Sequence, residues 1–244
     1  MITKKQVVEL ARANNINPYY QEKDYLLNIF LKRLYEIHEE MVFKGGTCLK
    51  LAYNYQRFSE DLDFNTTKPK EVKKAVEKTL KAYESLNIEC EIAKEESFKD
   101  SYTSRLRFHG PLYAKRPDSV NTIQLDVGLR DPVILKPEWR QIASPYPDIP
   151  NYQVKAMQLN EIYAEKIRAL LTRKTGRDLY DLWMLTPHAK PDKKLVNKKI
   201  NLQKTEIKLP TEKQYNQDLQ NLLPKPPPYK QIKKQVKQTI EKLR

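Results

Sequence analysis

Two aspartates, Asp61 and Asp63, are separated by a single leucine in a short stretch of alternating acidic and apolar residues. In an extended strand alternate side chains point to the same face, so the two carboxylates lie together while Leu62 and Phe64 point the other way. Carboxylates held side by side repel each other, and the arrangement is costly unless a cation lies between them. Oxygen ligands of this kind, supplemented by substrate phosphates, suit Mg²⁺ or Mn²⁺. The spacing therefore predicts a divalent-metal site, with an exposed acidic strand end as the alternative.

Two of the chain's five glycines, Gly45 and Gly46, stand side by side shortly before this acidic pair. Glycine lets the backbone approach a ligand closely and adopt a positive φ. The apolar run at residues 41–43 indicates the end of a strand, and Thr47 is placed to cap a helix. A strand, a glycine turn and a helix start point backbone N–H groups at a phosphate. The stretch therefore predicts a phosphate-binding turn, with an ordinary strand–turn–helix as the alternative.

Taken together, these residues resemble the beginning of a nucleotidyltransferase of the polymerase-β type. The longer pattern is similar to the AbiEii/AbiGii toxin family, nucleotidyltransferases of type IV toxin–antitoxin systems. That pattern consists of Lys44-Gly45-Gly46-Thr47 followed by Arg57-x-Ser59-x-Asp61-Leu62-Asp63-Phe64. The resemblance continues in Ala164-Glu165-Lys166 and in Arg177-Asp178-Leu179-Tyr180-Asp181-Leu182.

The resemblance implies a set of three carboxylates. Asp126 is a lone acid in an apolar strand, and taken by itself such an acid can simply face solvent. In a nucleotidyltransferase of this kind it would be the third metal ligand, beside Asp61 and Asp63, and the metal ions would stabilise both the attacking and the leaving oxygen. We therefore expect Asp61, Asp63 and Asp126 to hold two Mg²⁺ ions, with an NTP as the substrate.

The resemblance also implies contacts to the nucleotide. Lys166 would bind the triphosphate, where its ammonium acts as a compact point charge. Arg57 is a candidate auxiliary contact, since guanidinium geometry fits a phosphate. Ser59 either hydrogen-bonds a phosphate or caps a turn. The expected nucleotide-binding residues are Lys44, Gly45, Gly46, Thr47, Arg57, Ser59 and Lys166.

Asp178 and Asp181 lie three residues apart, which places them on the same side of a helix. We expect Asp181 to be functional. Asp178 is expected to be structural, as the cap of a helix that begins after Gly176 ends the helix carrying Lys166. The expected catalytic residues are then Asp61, Asp63, Asp126, Lys166 and Asp181.

Composition limits the class of protein. No run approaches the ~18–20 apolar residues of a membrane helix, and the N-terminus is not a secretory signal, so we expect a cytoplasmic protein without membrane contact. The two cysteines indicate neither a zinc site nor a disulfide framework.

The formal net charge is +14, and +10 of it falls after residue 187, where there are fifteen Lys and Arg and five Asp and Glu. Such a region suggests a nucleic-acid partner, or else a solvated lysine-rich face.

The expected reaction moves a nucleoside monophosphate from an NTP to an acceptor hydroxyl. The resemblance and the basic C-terminal region favour a tRNA 3′ end, or another RNA, as the acceptor. The resemblance also implies a cognate antitoxin encoded next to the gene, without a stable complex between the two proteins. The alternatives are nucleotidylylation of a protein or small molecule, and a non-catalytic RNA-binding protein on the same scaffold.

Hydrophobic periodicity predicts the elements that position these residues. Helices are expected over residues 3–14 and from Pro18 to about His38, and half-buried strands over residues 88–92, 102–108 and 123–129. The fold class is α+β: a polymerase-β-like nucleotidyltransferase sheet flanked by helices, followed by a helical C-terminal half.

The domain boundary is expected at a proline-dense connection. Residues 1–150 would form the nucleotidyltransferase domain with its N-terminal helices, and residues 151–244 a mainly helical domain with a basic, lysine-rich tail. The connection itself spans residues 136–157, and residues 187–211 are expected to form an extended loop. A last apolar stripe at Ile232, Val236 and Ile240 predicts a helix that docks on its own domain, on a partner or on RNA.

Overall fold

The computed structural model describes residues 1–129, 132–220, 222–223 and 225–244. Within these ranges the chain divides into two compact units. The first unit consists of Met1–Asn54, Ser59–Pro132 and Pro137–Ala156, and the second of Tyr55–Phe58, Val133–Lys136 and Met157–Arg244. The sequence places a single boundary after residue 150, whereas the contacts place it after Ala156 and assign two short earlier segments to the second unit.

Seven strands in the described part of the first unit form a mixed sheet. They are β1 (Val42–Lys44), β2 (Leu62–Asn65), β3 (Glu89–Ser97), β4 (Ser101–His109), β5 (Asn121–Gly128), β6 (Glu138–Ile142) and β7 (Tyr152–Ala156). Their order across the sheet is β3-β4-β5-β2-β1-β7-β6. β1 runs antiparallel to β2, while the β2–β5 and β1–β7 pairs are parallel. The predicted α+β class is therefore confirmed.

The helices of the first unit are α1 (Lys4–Ala13), α2 (Pro18–Ile37), α3 (Gly45–Tyr53) and α4 (Pro69–Leu80), with short 3₁₀ helices at Lys81–Leu86 and Pro117–Ser119. Thr3 and Gln6 form a capping box at α1, and Asn17 caps α2 ahead of Pro18. Both N-terminal helices are thus confirmed. Residues 21–31 of α2 are all buried, so the helix is enclosed on every side and not only along its apolar stripe.

The predicted connection at residues 136–157 is wrong, because it contains strands β6 and β7. Both strands are only five residues long and lie beside the prolines at 137, 145, 147 and 150, which hides their alternation in the sequence. β7 pairs in parallel with β1, through Phe43 opposite Ala156. Parallel partners are distant along the chain, and neither strand has a hairpin signal that would reveal the pairing.

The second unit is helical. It contains α5 (Leu159–Arg173), α6 (Gly176–Leu185), α7 (Lys193–Lys199), α8 (Glu212–Leu219) and α9 (Tyr229–Leu243). The helix α9 buries Ile232, Val236 and Ile240 and packs against α6 and α8, so the last stripe docks within its own unit. The expectation of an extended loop over residues 187–211 is wrong at α7, which Asp192 caps and which buries Leu195 and Val196.

Within the described ranges, every helix is too short or too polar to traverse a lipid bilayer.

Candidate active site

The glycine turn joins β1 to α3 and lies directly against the acidic strand. Gly45 has φ +76°, a left-handed conformation that residues with a side chain rarely adopt. A Cβ atom built on Gly45 would lie 2.2 Å from Oδ2 of Asp63. Lys44, the preceding residue, pairs with Asp63 across β1 and β2. The start of α3 therefore lies beside the Asp63 carboxylate, at a place that only glycine fits.

Asp63 and Asp126 are neighbours on adjacent parallel strands. β2 and β5 pair with Asp63 opposite Asp126, and neighbouring strands lie about 4.8 Å apart. Both aspartates are partly exposed, whereas Leu62 and Phe64 are buried on the other face of β2. Nε2 of Gln124 donates a hydrogen bond to Oδ1 of Asp126 at 3.3 Å. The two acids thus share an accessible face of the sheet, as the alternation of the sequence predicts.

The donor chemistry at this face suits a divalent cation. Asp61 lies one residue before β2 and is partly exposed, so all three predicted carboxylates are accessible. In the described part of the chain, no group of three or more His, Cys, Asp or Glu side chains is arranged to hold a metal ion. Mg²⁺ is usually bound by one or two carboxylates with substrate phosphates and water completing the shell. The Asp63–Asp126 pair fits that requirement, and the role of Asp61 stays a prediction.

Thr47 ties the glycine turn to the loop that leads into β2. Its side chain is fully buried, and its hydroxyl donates to the backbone carbonyl of Asp61 at 2.5 Å. The same hydroxyl lies 3.0 Å from Oγ of Ser59. The predicted cap at Thr47 is wrong, because Lys44 occupies the N-cap position and Thr47 lies inside the first turn of α3. Thr47 therefore positions the Asp61 segment, and Ser59 joins it there.

Replacing Thr47 with valine should loosen that tie. The two side chains have similar shape, so the change removes the hydroxyl and leaves the Asp61 carbonyl without this donor, at a cost of about 1–3 kcal/mol. We expect the rate of transfer to fall about tenfold or more, since small displacements of catalytic groups are costly. Chemical denaturation and a steady-state assay measure the two effects. Thr47→Ser keeps the hydroxyl and should retain activity, with a loss of stability of about 1 kcal/mol for the buried methyl group. An equal loss of activity in both variants would contradict this role.

The central helix α2 supports the same region with charges that the sequence reasoning missed. Nζ of Lys23 lies 2.7 Å from Oε2 of Glu60, the residue before Asp61. Asp24 forms an ion pair with Lys50 of α3. Charged residues at consecutive positions in an otherwise apolar helix were the available signal, because such residues are buried only when they are paired.

A second group of predicted residues forms a buried charge cluster within the second unit. Arg57 binds Asp181 through two parallel hydrogen bonds, from Nε to Oδ1 at 2.8 Å and from Nη2 to Oδ2 at 2.9 Å. Its remaining nitrogen, Nη1, donates to the carbonyl of Phe58 at 2.8 Å. The guanidinium is therefore engaged by Asp181 and the backbone, and the expected contact of Arg57 with a phosphate stays a prediction.

Lys166, on α5, completes this cluster. Its Nζ lies 2.8 Å from Oδ1 of Asp178 and 2.7 Å from Oδ2 of Asp181. Burial opposes the charged ammonium, but the carboxylates of Asp181 and Asp178 outweigh it and raise the pKa of Lys166. Burial likewise opposes the Asp181 carboxylate, yet Arg57 and Lys166 hold its pKa far below the usual value. Two cations and two anions thus remain charged inside the unit and compensate each other.

Asp178 and Asp181 both bind Lys166 through their carboxylates, and the functional role expected of Asp181 stays a prediction. The expectation that Asp178 caps a helix is wrong. Thr175 occupies the N-cap position and accepts a hydrogen bond from the backbone N–H of Asp178 at 3.2 Å. Gly176 does not end α5 but begins α6.

The fold of this chain is similar to the folds of solved proteins, among them a nucleotidyltransferase toxin. The nucleotidyltransferase toxin MenT4 from Mycobacterium tuberculosis has a TM-score of 0.67 and 20% identity, covering 100% of this chain and 90% of that one. JHP933 from Helicobacter pylori has a TM-score of 0.60 and 18% identity, covering 93% of each chain. A putative nucleotidyltransferase from H. pylori has a TM-score of 0.53 and 21% identity, covering 91% and 96%. At these identities the likeness establishes the fold.

The family follows from the sequence itself. The model of the nucleotidyl transferase AbiEii toxin family, of type IV toxin–antitoxin systems, matches residues 29–243. No curated protein matches the chain. The chain belongs to the AbiEii family of nucleotidyltransferase toxins.

Proposed function

We propose that this protein transfers a nucleoside monophosphate from an NTP to the 3′ end of a tRNA, with divalent metal ions bound by Asp61, Asp63 and Asp126. The observation that supports the proposal most is the left-handed turn at Gly45, which packs against Asp63 while Asp126 lies in register on the next strand. Such a site would combine a phosphate-binding turn with metal-binding carboxylates.

The start of α3 supplies the phosphate contacts. No side chain caps this helix, and the first N–H groups of a helix have no partner within it. They are therefore available to phosphate oxygens, which the helix dipole also favours. Gly45 and Gly46 let those oxygens approach the backbone closely.

The carboxylates act on the transfer itself. Metal ions, when bound, stabilise charge on the attacking and leaving oxygens. The acceptor oxygen forms a bond to the α-phosphorus. The bond from the α-phosphorus to the oxygen that bridges it to the β-phosphorus breaks, and pyrophosphate leaves. Asp126 lies on the open edge of the pair and accepts the proton of the attacking hydroxyl, while Asp63 faces the phosphates at the glycine turn.

The acceptor is inferred from family membership and charge. The chain belongs to a family of toxins, and its residues after 187 carry a net +10, from fifteen basic and five acidic side chains. A basic surface favours a polyanionic acceptor. We infer that the protein acts in the cytoplasm, where NTP and tRNA meet, and that an antitoxin encoded beside it restrains it without a stable complex.

The test is to incubate the purified protein with Mg²⁺, each labelled NTP in turn and total tRNA. We expect label on the RNA, abolished by EDTA, and a rate at least about 100-fold lower for Asp63→Asn because the metal site loses a charge without losing volume. Gel analysis of RNA and protein fractions reads out the acceptor.

Label on the protein fraction alone would move the acceptor from RNA to protein. No transfer to either fraction, together with no NTP binding by calorimetry, would leave a non-catalytic RNA-binding protein. Equal transfer by wild type and Asp63→Asn would contradict the assignment of Asp63.

A further inference from the structure

The sheet face that carries Asp63 and Asp126 continues as an open polar surface on β5 and β4. Buried residues on these strands alternate with exposed or partly exposed ones. Thr103 pairs with Asp126, and Arg105 pairs with Gln124 one step further along. Residues two apart on a strand share a face. Arg105 and Gln124 therefore lie on the accessible face, next to Asp126.

Arg105 differs from the other cations of this face. Nη1 of Arg107 lies 2.6 Å from Oε1 of Glu91. Nζ of Lys94 lies 2.8 Å from Oε1 of Glu96. The side chain of Arg105 is exposed and, within the described ranges, makes no hydrogen bond or ion pair. A guanidinium has planar paired donors that match a phosphate, so an uncommitted arginine beside Asp126 is suited to an anionic group of the substrate.

The order of the strands places different groups on the two sides of the Asp63–Asp126 pair. Across the sheet, β1 with its glycine turn lies on one side of Asp63 and Asp126, and β4 with Arg105 lies on the other. In phosphoryl transfer the attacking and leaving oxygens are roughly in line on opposite sides of the phosphorus. If the leaving phosphates lie at the turn, the acceptor approaches over β5 and β4.

We propose that Arg105 binds a backbone phosphate of the acceptor RNA, one nucleotide back from the attacking hydroxyl, and that Gln124 holds Asp126 toward that hydroxyl. This inference rests on the proposed function. Arg105 is diagonal to Asp126 on neighbouring strands, where Cα atoms are about 7–8 Å apart, so an arginine side chain spans the step between a terminal hydroxyl and the preceding phosphate. A protein acceptor has no such phosphate beside its hydroxyl, and an RNA acceptor does.

The experiment compares Arg105→Gln with Arg107→Gln, a matched change on the same strand and face at a residue that is paired with Glu91. Fluorescence anisotropy measures binding of a short 5′-labelled single-stranded RNA that ends in a 3′-deoxynucleotide, so no transfer occurs. We expect Arg105→Gln to weaken binding about tenfold. The slope of log affinity against log salt should also fall by about 0.7, the value for one phosphate contact on a single strand. Arg107→Gln should leave that slope unchanged.

Activity gives the second readout. Arg105→Gln should raise the KM for tRNA by a similar factor and leave the KM for NTP unchanged, because the residue serves the acceptor. Equal effects of the two variants, an unchanged salt slope, or a loss of NTP affinity in Arg105→Gln would overturn the inference.

The two proposals fail separately. Wild-type transfer to tRNA that Arg105→Gln leaves intact would refute the acceptor site and keep the proposed function. RNA binding that depends on Arg105, in a protein that transfers nothing to RNA, would keep the site and refute the function. A wild-type protein that binds no RNA refutes the site.

Discussion

Replacing Gly45 with alanine is expected to lower the free energy of unfolding by about 2–4 kcal/mol, and to reduce nucleotidyl transfer at least about 100-fold. Two separate effects contribute. The backbone at Gly45 has φ +76°, which costs a residue with a side chain roughly 1–2 kcal/mol. The new methyl group would also lie 2.2 Å from Oδ2 of Asp63, so the carboxylate must move. Displacing that carboxylate would disturb the proposed metal site directly.

Two further variants separate these effects. Gly46→Ala is the control for stability, because Gly46 lies within α3 and does not have a positive φ; alanine there should be neutral or stabilising. Asp63→Gly removes the side chain that the new methyl group would meet. In a double-mutant cycle, Gly45→Ala should then cost only the part due to φ, and the coupling energy measures the contact. A purely additive cycle would show that the close approach of Gly45 to Asp63 is unimportant.

Local features of the fold and the site were predictable from the sequence, because local chemistry determines them. Thr3 and Asn17 cap their helices through their own side chains. The alternation around Asp63 and Asp126 places both on the open face, since a strand has a period of two. Gly45 marks a turn because few residues with a side chain adopt its backbone conformation.

What the sequence did not reveal depends on contacts between distant segments. β7 is identified by its parallel pairing with β1, far away in the chain. Threonine is a common helix cap, so the sequence predicts that role for Thr47. Its hydroxyl instead donates to the backbone carbonyl of Asp61, in the loop before β2. In the sequence, the charged residues of α2 are typical of a solvated face, and only the fold shows that Glu60 and Lys50 form ion pairs with them. Arg57 resembles a phosphate ligand by motif, and only the fold shows that its Nε and Nη2 both donate to Asp181.

Replacing Lys166 with methionine is expected to destabilise the second unit by about 3–5 kcal/mol, since removing one partner of a buried ion pair leaves a buried charge uncompensated. Lys166 is 9% exposed, and both of its carboxylate partners are buried. With the ammonium removed, Asp181 keeps Arg57, while Asp178 keeps only the exposed Arg173, whose Nε lies 3.8 Å from Oδ2. Denaturant unfolding can follow Trp183 of α6 in a Trp139→Phe background, because the chain has only two tryptophans.

The dependence on pH has a defined sign. Burial opposes both carboxylates, but Lys166 lowers the pKa of Asp178, and Arg57 with Lys166 lowers that of Asp181. Their contribution to stability is therefore present above the unfolded pKa of about 3.9 and is lost as the pH falls below it. Wild type should lose stability on acidification more steeply than Lys166→Met. The control is Lys213→Met, at an exposed position of α8, which should change stability by less than about 0.5 kcal/mol. It should lose stability on acidification as steeply as the wild type does. An equally steep loss in Lys166→Met would contradict the role of the cluster.

Lys166→Met also separates the two roles open to this residue. The resemblance assigns its ammonium to the triphosphate, while the structure pairs it with Asp178 and Asp181. Adding Asp178→Asn removes one uncompensated charge and should recover part of the lost stability, about 1–3 kcal/mol. If Lys166 serves only the cluster, the double variant should bind NTP as the wild type does once it is folded. If the ammonium also reaches the triphosphate, NTP binding should stay weak after stability has returned, because no other change restores that positive charge.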